Sequence, residues 1–180
     1  MIDDPGSTTI RRTAFAALLF AAAATGCASS GGDGDAAVAG DIPDTQVFVP
    51  FSPPTAGFTV NVPEGWARTD VGGAVTFSDK FNSVRIETMT TATAPSVQSE
   101  AGGPEGGTVT AVTRAGGPAV LIAYQIDGAP DPVTGKAPRL DVERYEFWRA
   151  GTEVVLTLSG AAGSDNVDPW RTISDSFRWA

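Results

Sequence analysis

Residues 140–159 (LDVERYEFWRAGTEVVLTLS) constrain the fold more than any other stretch, because they read as two facing strands of a sheet on which the rest must pack. Val154, Leu156 and Leu158 alternate with other positions at the period of a half-buried strand, and Val155 is the one exception. A turn at Ala150-Gly151, or over 149–152, sets Phe147 opposite Val154 and Tyr145 opposite Leu156, so both strands turn their apolar sets to one side. A slip of one residue would put Arg144 and Glu146 there instead. The pattern therefore chooses the register, with Gly151 supplying the positive φ that a tight turn needs.

A chain of 180 residues, 42% hydrophobic and 18% charged, is long and apolar enough for one domain with a core. Its formal charge is −9. Removing the N-terminal segment takes Arg11 and Arg12 together with Asp3 and Asp4 and leaves that charge unchanged. So acidic a domain lacks the electrostatic footprint of nucleic-acid binding. The chain has no histidine, which removes Ser-His-Asp hydrolysis, histidine general-base catalysis and histidine-ligated zinc or copper. Its one cysteine, Cys27, cannot form an internal disulfide. No cofactor is expected.

The N-terminus has the order of a secretory signal: the basic pair Arg11-Arg12, the apolar run 13–24 (TAFAALLFAAAA), then Ala24-Thr25-Gly26-Cys27. As a helix the run spans about 18 Å, short of the ~30 Å hydrocarbon core of a bilayer. A cysteine directly after small residues resembles a lipobox, in which the peptide is cut before Cys27 and the thiol carries diacylglycerol; an ordinary signal peptide with an incidental cysteine is the alternative. Two or three acyl chains hold a protein stably on a membrane. The segment 11–15 (RRTAF) also resembles a twin-arginine signal, and two arginines before an apolar run serve the general export route equally well. The expected organisation is a cleaved signal over 1–26, a lipidated cysteine and flexible linker over 27–46, and one globular domain over 47–180. Asp33 and Asp35 read as solvated linker charges.

In the domain, Phe58-Thr59-Val60-Asn61-Val62 alternates as a strand up to Pro63, and residues 63–66 form a turn that lays Trp66 back on the sheet. Val75 and Phe77 mark the next strand, 79–83 a polar turn and 84–89 a third strand. Residues 94–101 could hold one short helix, and the glycine-rich 102–107 is a loop. Strands follow at 108–113 and at 119–126 (AVLIAYQI), the latter central. The loop 127–139 (DGAPDPVTGKAPR) has three prolines and two glycines, and a loop so long is functional or mobile. Its candidate partner contacts are Asp131, Thr134, Lys136 and Arg139, against a solvated linker with no role. At the C-terminus, Asp168 as N-cap, Pro169 at the first helical position and Trp170, Ile173 and Phe177 at helical spacing predict a helix with one stripe on the sheet. Asp165, Asn166 and Asp168 have donors suited to a hard cation, but capping and dipole complementation explain acids there.

Four motifs in this order, behind the lipobox, resemble the actinobacterial LpqN-type lipoproteins and more distantly the Mog1/PsbP-like fold: Phe58-Thr59-Val60-Asn61-Val62-Pro63 with Trp66, Phe77-Ser78-Asp79-Lys80-Phe81-Asn82, Glu143-Arg144-Tyr145-Glu146-Phe147 and Asp175-Ser176-Phe177. The resemblance covers about 58–179. It implies an α+β fold, an antiparallel sheet of about six to eight strands with helices packed on it, an extracytoplasmic location at the cell membrane and a role through binding, with no catalytic positions. Segment 94–101 is short for the helix such domains place there.

The leading expectation is a non-catalytic, membrane-anchored envelope lipoprotein that binds a protein or another envelope component. A carrier of a lipid or hydrophobic small molecule, with sheet and helix enclosing a cavity, is the alternative. A carboxylate enzyme is the third: Asp141 and Glu143 would share one face of their strand and Glu146 the other, so the three do not converge.

Overall fold

The hairpin at 140–159 forms in the register its pattern requires. In the computed structural model, which describes residues 40–54, 57–130 and 132–180, strands β8 (Arg139–Arg149) and β9 (Thr152–Ala161) pair antiparallel with Phe147 opposite Val154 and Tyr145 opposite Leu156. The turn is the two residues Ala150 and Gly151, both at positive φ (49° and 86°), as a type I′ turn demands. Alanine carries that conformation at some steric cost; glycine does not.

Eight further strands are present: β1 (Phe48–Phe51), β2 (Phe58–Pro63), β3 (Ala67–Val71), β4 (Ala74–Asp79), β5 (Asn82–Thr90), β6 (Thr108–Arg114), β7 (Gly117–Asp127) and β10 (Arg178–Trp179). One helix, α1 (Val167–Ser176), precedes β10. Seven strands form an antiparallel sheet in the order β3-β4-β5-β9-β8-β7-β6, and β1, β2 and β10 form a smaller antiparallel sheet. The hairpin strands β8 and β9 are thus interior to the large sheet, which explains why their pattern is the clearest in the chain.

The front of the large sheet is the core. Phe77, Val84, Ile86, Tyr145, Phe147, Val154, Leu156 and Leu158 meet Phe58, Val60 and Val62 of β2 and Trp170 and Ile173 of α1. Phe177, just past the helix, is the joint. Its ring stacks on Phe147 at 4.0 Å and on Phe58 at 5.4 Å, and Trp179 meets it edge-on at 5.1 Å. Gly116, between β6 and β7, admits Phe177 closely: a Cβ there would lie 2.5 Å from Phe177 Cδ1.

The back of the sheet is buried too. Val120, Ile122, Val142 and Val155, with Glu146, lie there at 5% exposure or less. Segment 91–107 crosses it, tied by Trp148 Nε1 donating to Thr91 O at 3.0 Å, and the described residues of the loop, 128–130 and 132–138, cover the region of Ser83 and Ser159. Val155 breaks the alternation of β9 because both of its strand's faces are covered.

Several expectations need correction. Large sheet and C-terminal helix agree with the α+β reading, but the strands total ten in two sheets and α1 is the one helix among the described residues. Residues 94–101 form turns, not a helix, held by Ser96 and Ser99 bonding to each other's backbone. The helix ends at Ser176, so Phe177 leaves the predicted stripe and becomes the interface residue. Its N-cap is Asn166, not Asp168, and Pro169 is the third residue of the first turn. The folded body also takes in residues 40–46, ahead of the expected boundary at 47, because Ile42 is buried and its N–H donates to Asn166 Oδ1 at 2.8 Å. β3 was not expected; every residue in it is exposed, so it carries no apolar alternation.

Candidate functional site

Among the described residues, concave regions border the large sheet on both faces. The first lies on the front, where β6 stops short of the end of β7 and the N-terminus of α1 approaches. It is a cleft of about 510 Å³ with Gln125, Arg139, Asp141, Glu143, Asn166 and Trp170 in its wall. Asp141 and Glu143 do share this face, as strand geometry predicts. Both are occupied. Asp141 accepts from Gln125 Nε2 at 2.6 Å and from the Gly163 N–H at 3.1 Å. Glu143 accepts from the Tyr145 hydroxyl at 2.7 Å, and Arg114 donates to that hydroxyl at 3.1 Å. Burial, then the bond to Glu143, pushes the Tyr145 phenol up against the opposing influence of Arg114, so it stays a proton donor to the carboxylate. The chain of bonds braces β8 against β6 and α1.

The second region is on the back, under residues 94–98, about 440 Å³ in volume and bordered by Glu146, Trp148 and Val120. Glu146 is 2% exposed. Its Oε1 pairs with Arg144 Nε at 2.8 Å, while Oε2 is buried with no hydrogen-bond partner among the described residues. Burial raises its carboxyl against the pull of Arg144. Glu153, beside it on β9, is raised by burial and by Glu146. Glu146 is therefore an interior acid, on the opposite face from Asp141 and Glu143, and the three carboxylates do not converge.

The third region is the groove beneath loop 128–138, about 720 Å³. Its floor is the back of β4, β5 and β9 at Ser78, Ser83 and Ser159, where the two hydroxyls of Ser83 and Ser159 bond each other at 2.8 Å. Leu140 and Pro130, Pro132 and Pro138 make one wall. The other is the β4–β5 turn, Lys80 and Phe81, with Phe81 47% exposed and Lys80 at φ 52°. Thr134 and Lys136 of the predicted loop line this groove. Arg139 does not: it turns to the front cleft, where it pairs with Asp127 at 3.1 Å and donates to Gln125. Asp131, Cys27, Asp33 and Asp35 lie outside the described residues. In the sequence Lys80 and Phe81 read only as part of a polar turn, whereas the fold sets both on the rim of this groove. The available signal was scarcity, for Lys80 and Lys136 are the two lysines of the whole chain.

Of the C-terminal polar cluster, Asn166 is turned inward and buried, its Nδ2 donating to Asn82 Oδ1 at 3.1 Å and to Gly40 O at 3.2 Å. Its side chain caps no helical N–H and instead holds segment 40–42 to the sheet. Asp165 and Asp168 are its exposed neighbours, and among the described residues no group of three or more Cys, Asp or Glu side chains is placed to hold a metal ion.

No family model matches the chain, and no curated protein matches it. Among solved structures it is similar to a protein of Bacteroides thetaiotaomicron VPI-5482, known from a crystal structure at 1.50 Å. The TM-score is 0.54 at 12% identity, covering 73% of this chain and 48% of that one. The chain thus spans about half the length of that protein. At such identity the likeness is one of fold alone: an antiparallel sheet with a helix packed on it.

Proposed function

We propose that this chain is a membrane-anchored envelope lipoprotein of LpqN type with a Mog1/PsbP-like domain. It acts without catalysis, and the groove beneath loop 128–138 is where it binds an envelope component. The observation that carries the reading is this groove: mostly apolar, bordered by both lysines of an acidic chain, with an exposed phenylalanine at its rim. The signal-like order of Arg11-Arg12, the apolar run and Cys27 supports export and anchoring at the outer face of the cell membrane. The engagement of Asp141 and Glu143 in structural bonds, with histidine absent, supports a binding role over a catalytic one.

Two measurements test the parts separately. Intact mass of the native product is expected to show diacylglycerol on Cys27 and the protein in the membrane fraction; an unmodified thiol or a cytosolic protein overturns the anchoring. Crosslinking in whole cells is expected to enrich an envelope component with the full chain and to lose it when residues 132–137 are replaced by a short glycine-serine link. Unchanged enrichment by a folded variant overturns the groove as the binding surface.

A further inference from the structure

We propose that the groove beneath loop 128–138 binds a single-chain anionic amphiphile, with its carboxylate or phosphate between Lys80 and Lys136 and its chain along Phe81, Leu140 and the loop prolines. The inference rests on the binding-domain reading above and names its ligand class.

The distribution of cations is the first argument. Among the described residues, Arg68, Arg85, Arg114, Arg139, Arg144 and Arg171 each pair with a carboxylate of the chain. Arg149 and Arg178 donate to backbone carbonyls near the C-terminus. Among the described residues Lys80 and Lys136 make no ion pair, and both line this one groove. In a chain of charge −9, two uncommitted ammonium groups on one concavity make a local site for an anion. Lysine suits a head group taken as a point charge, since its flexible stem can follow the ligand.

The turn supplies the second argument. Asp79 pairs with Asn82, so Lys80 and Phe81 are the whole β4–β5 connection. Lys80 sits at φ 52°, where glycine or asparagine would be at ease and lysine is strained. That geometry leaves a charge and an aromatic ring side by side at the rim of an apolar groove. Three prolines opposite present carbon surface and no N–H donors.

The floor supplies the third. β4, β5 and β9 each have a strand on both sides, so their backbone groups are used within the sheet. No strand edge is open here for a peptide to extend, and recognition must come from charge and apolar contact. A volume near 720 Å³ falls in the range of small-ligand sites.

The test is calorimetric titration of the mature protein with laurate below its micellar concentration, with dodecyltrimethylammonium as a probe of equal chain and opposite charge. Saturable one-to-one binding of laurate is expected, about tenfold or more tighter than the cation. Lys80→Gln with Lys136→Gln should weaken laurate about tenfold while the thermal midpoint stays put, and Phe81→Ser should weaken both probes alike. Absence of saturable laurate binding, equal affinity for the two probes, or full laurate affinity in the folded double variant would each overturn the proposal. So would retention on phosphatidylglycerol vesicles that laurate does not compete, which would exchange a single chain for a membrane surface. Failure with laurate alongside loop-dependent crosslinking would withdraw the ligand class and leave the binding-domain reading standing; failure of both would remove both.

Discussion

Asn166 and Glu153 show how much a single polar side chain inside this fold controls. Asn166 takes the Ile42 N–H and gives its own amide protons to Gly40 and Asn82. Asn166→Ala leaves a buried donor and a buried acceptor without partners, and equilibrium urea unfolding is expected to show a loss of about 2–4 kcal/mol. Glu146 and Glu153 work in the opposite sense. Both carboxyls are raised, chiefly by burial, against Arg144, and Glu100 adds to the repulsion. A carboxyl raised in the folded state contributes its full stability below the ordinary glutamate range and loses it as pH climbs through the raised value. Glu87 is lowered, first by its hydrogen bond from Arg85, so its contribution disappears only when pH falls below the ordinary range. The thermal midpoint is therefore expected to rise as pH is brought from neutral toward the glutamate range. Glu153→Gln should raise the midpoint at neutral pH and flatten that slope; a midpoint that falls on mild acidification would contradict the burial account.

Between elements, the closest tolerance is at the β6–β7 turn. Gly116 has no side chain because the ring and carbonyl of Phe177 occupy that space, at 2.5 Å and 2.8 Å from where a Cβ would stand. Gly116→Ala is expected to cost about 1–3 kcal/mol through overpacking, read as a lowered denaturant midpoint with an unchanged slope. Several elements were legible from sequence because their periodicity is the physical cause of their placement: β2 buries alternate residues, β8 and β9 set Tyr145, Phe147, Val154, Leu156 and Leu158 on one core face, and α1 presents Trp170 and Ile173 to the core. β3 and the turns at 94–101 were not legible. β3 is held by backbone pairing to β4 through the Gly72-Gly73 turn, with its side chains in water, so no pattern of burial is written into it. The 94–101 turns depend on serine bonds and on lying over a sheet face whose burial the local sequence does not announce.

For the molecule as a whole, Phe177 is the residue through which the two sheets and the helix share one core. Phe177→Ala removes the stacking on Phe58 and Phe147 together, and a loss of about 3–5 kcal/mol is expected. Loosened pairing of β10 with β2 should accompany it, seen as faster amide exchange at Thr59. The sequence by itself determined the hairpin register, the class of sheet-plus-helix fold, the acidic surface and the poverty of reactive side chains, because each follows from local alternation or from composition. Tertiary structure alone decided that Lys80, distant in sequence from Lys136, lies on the same groove, and that Arg139 turns to the other face. It also decided that Glu146 is interior. Those outcomes depend on which strands become neighbours and which loops fold over them, and contacts between segments tens of residues apart leave no periodic trace in either segment.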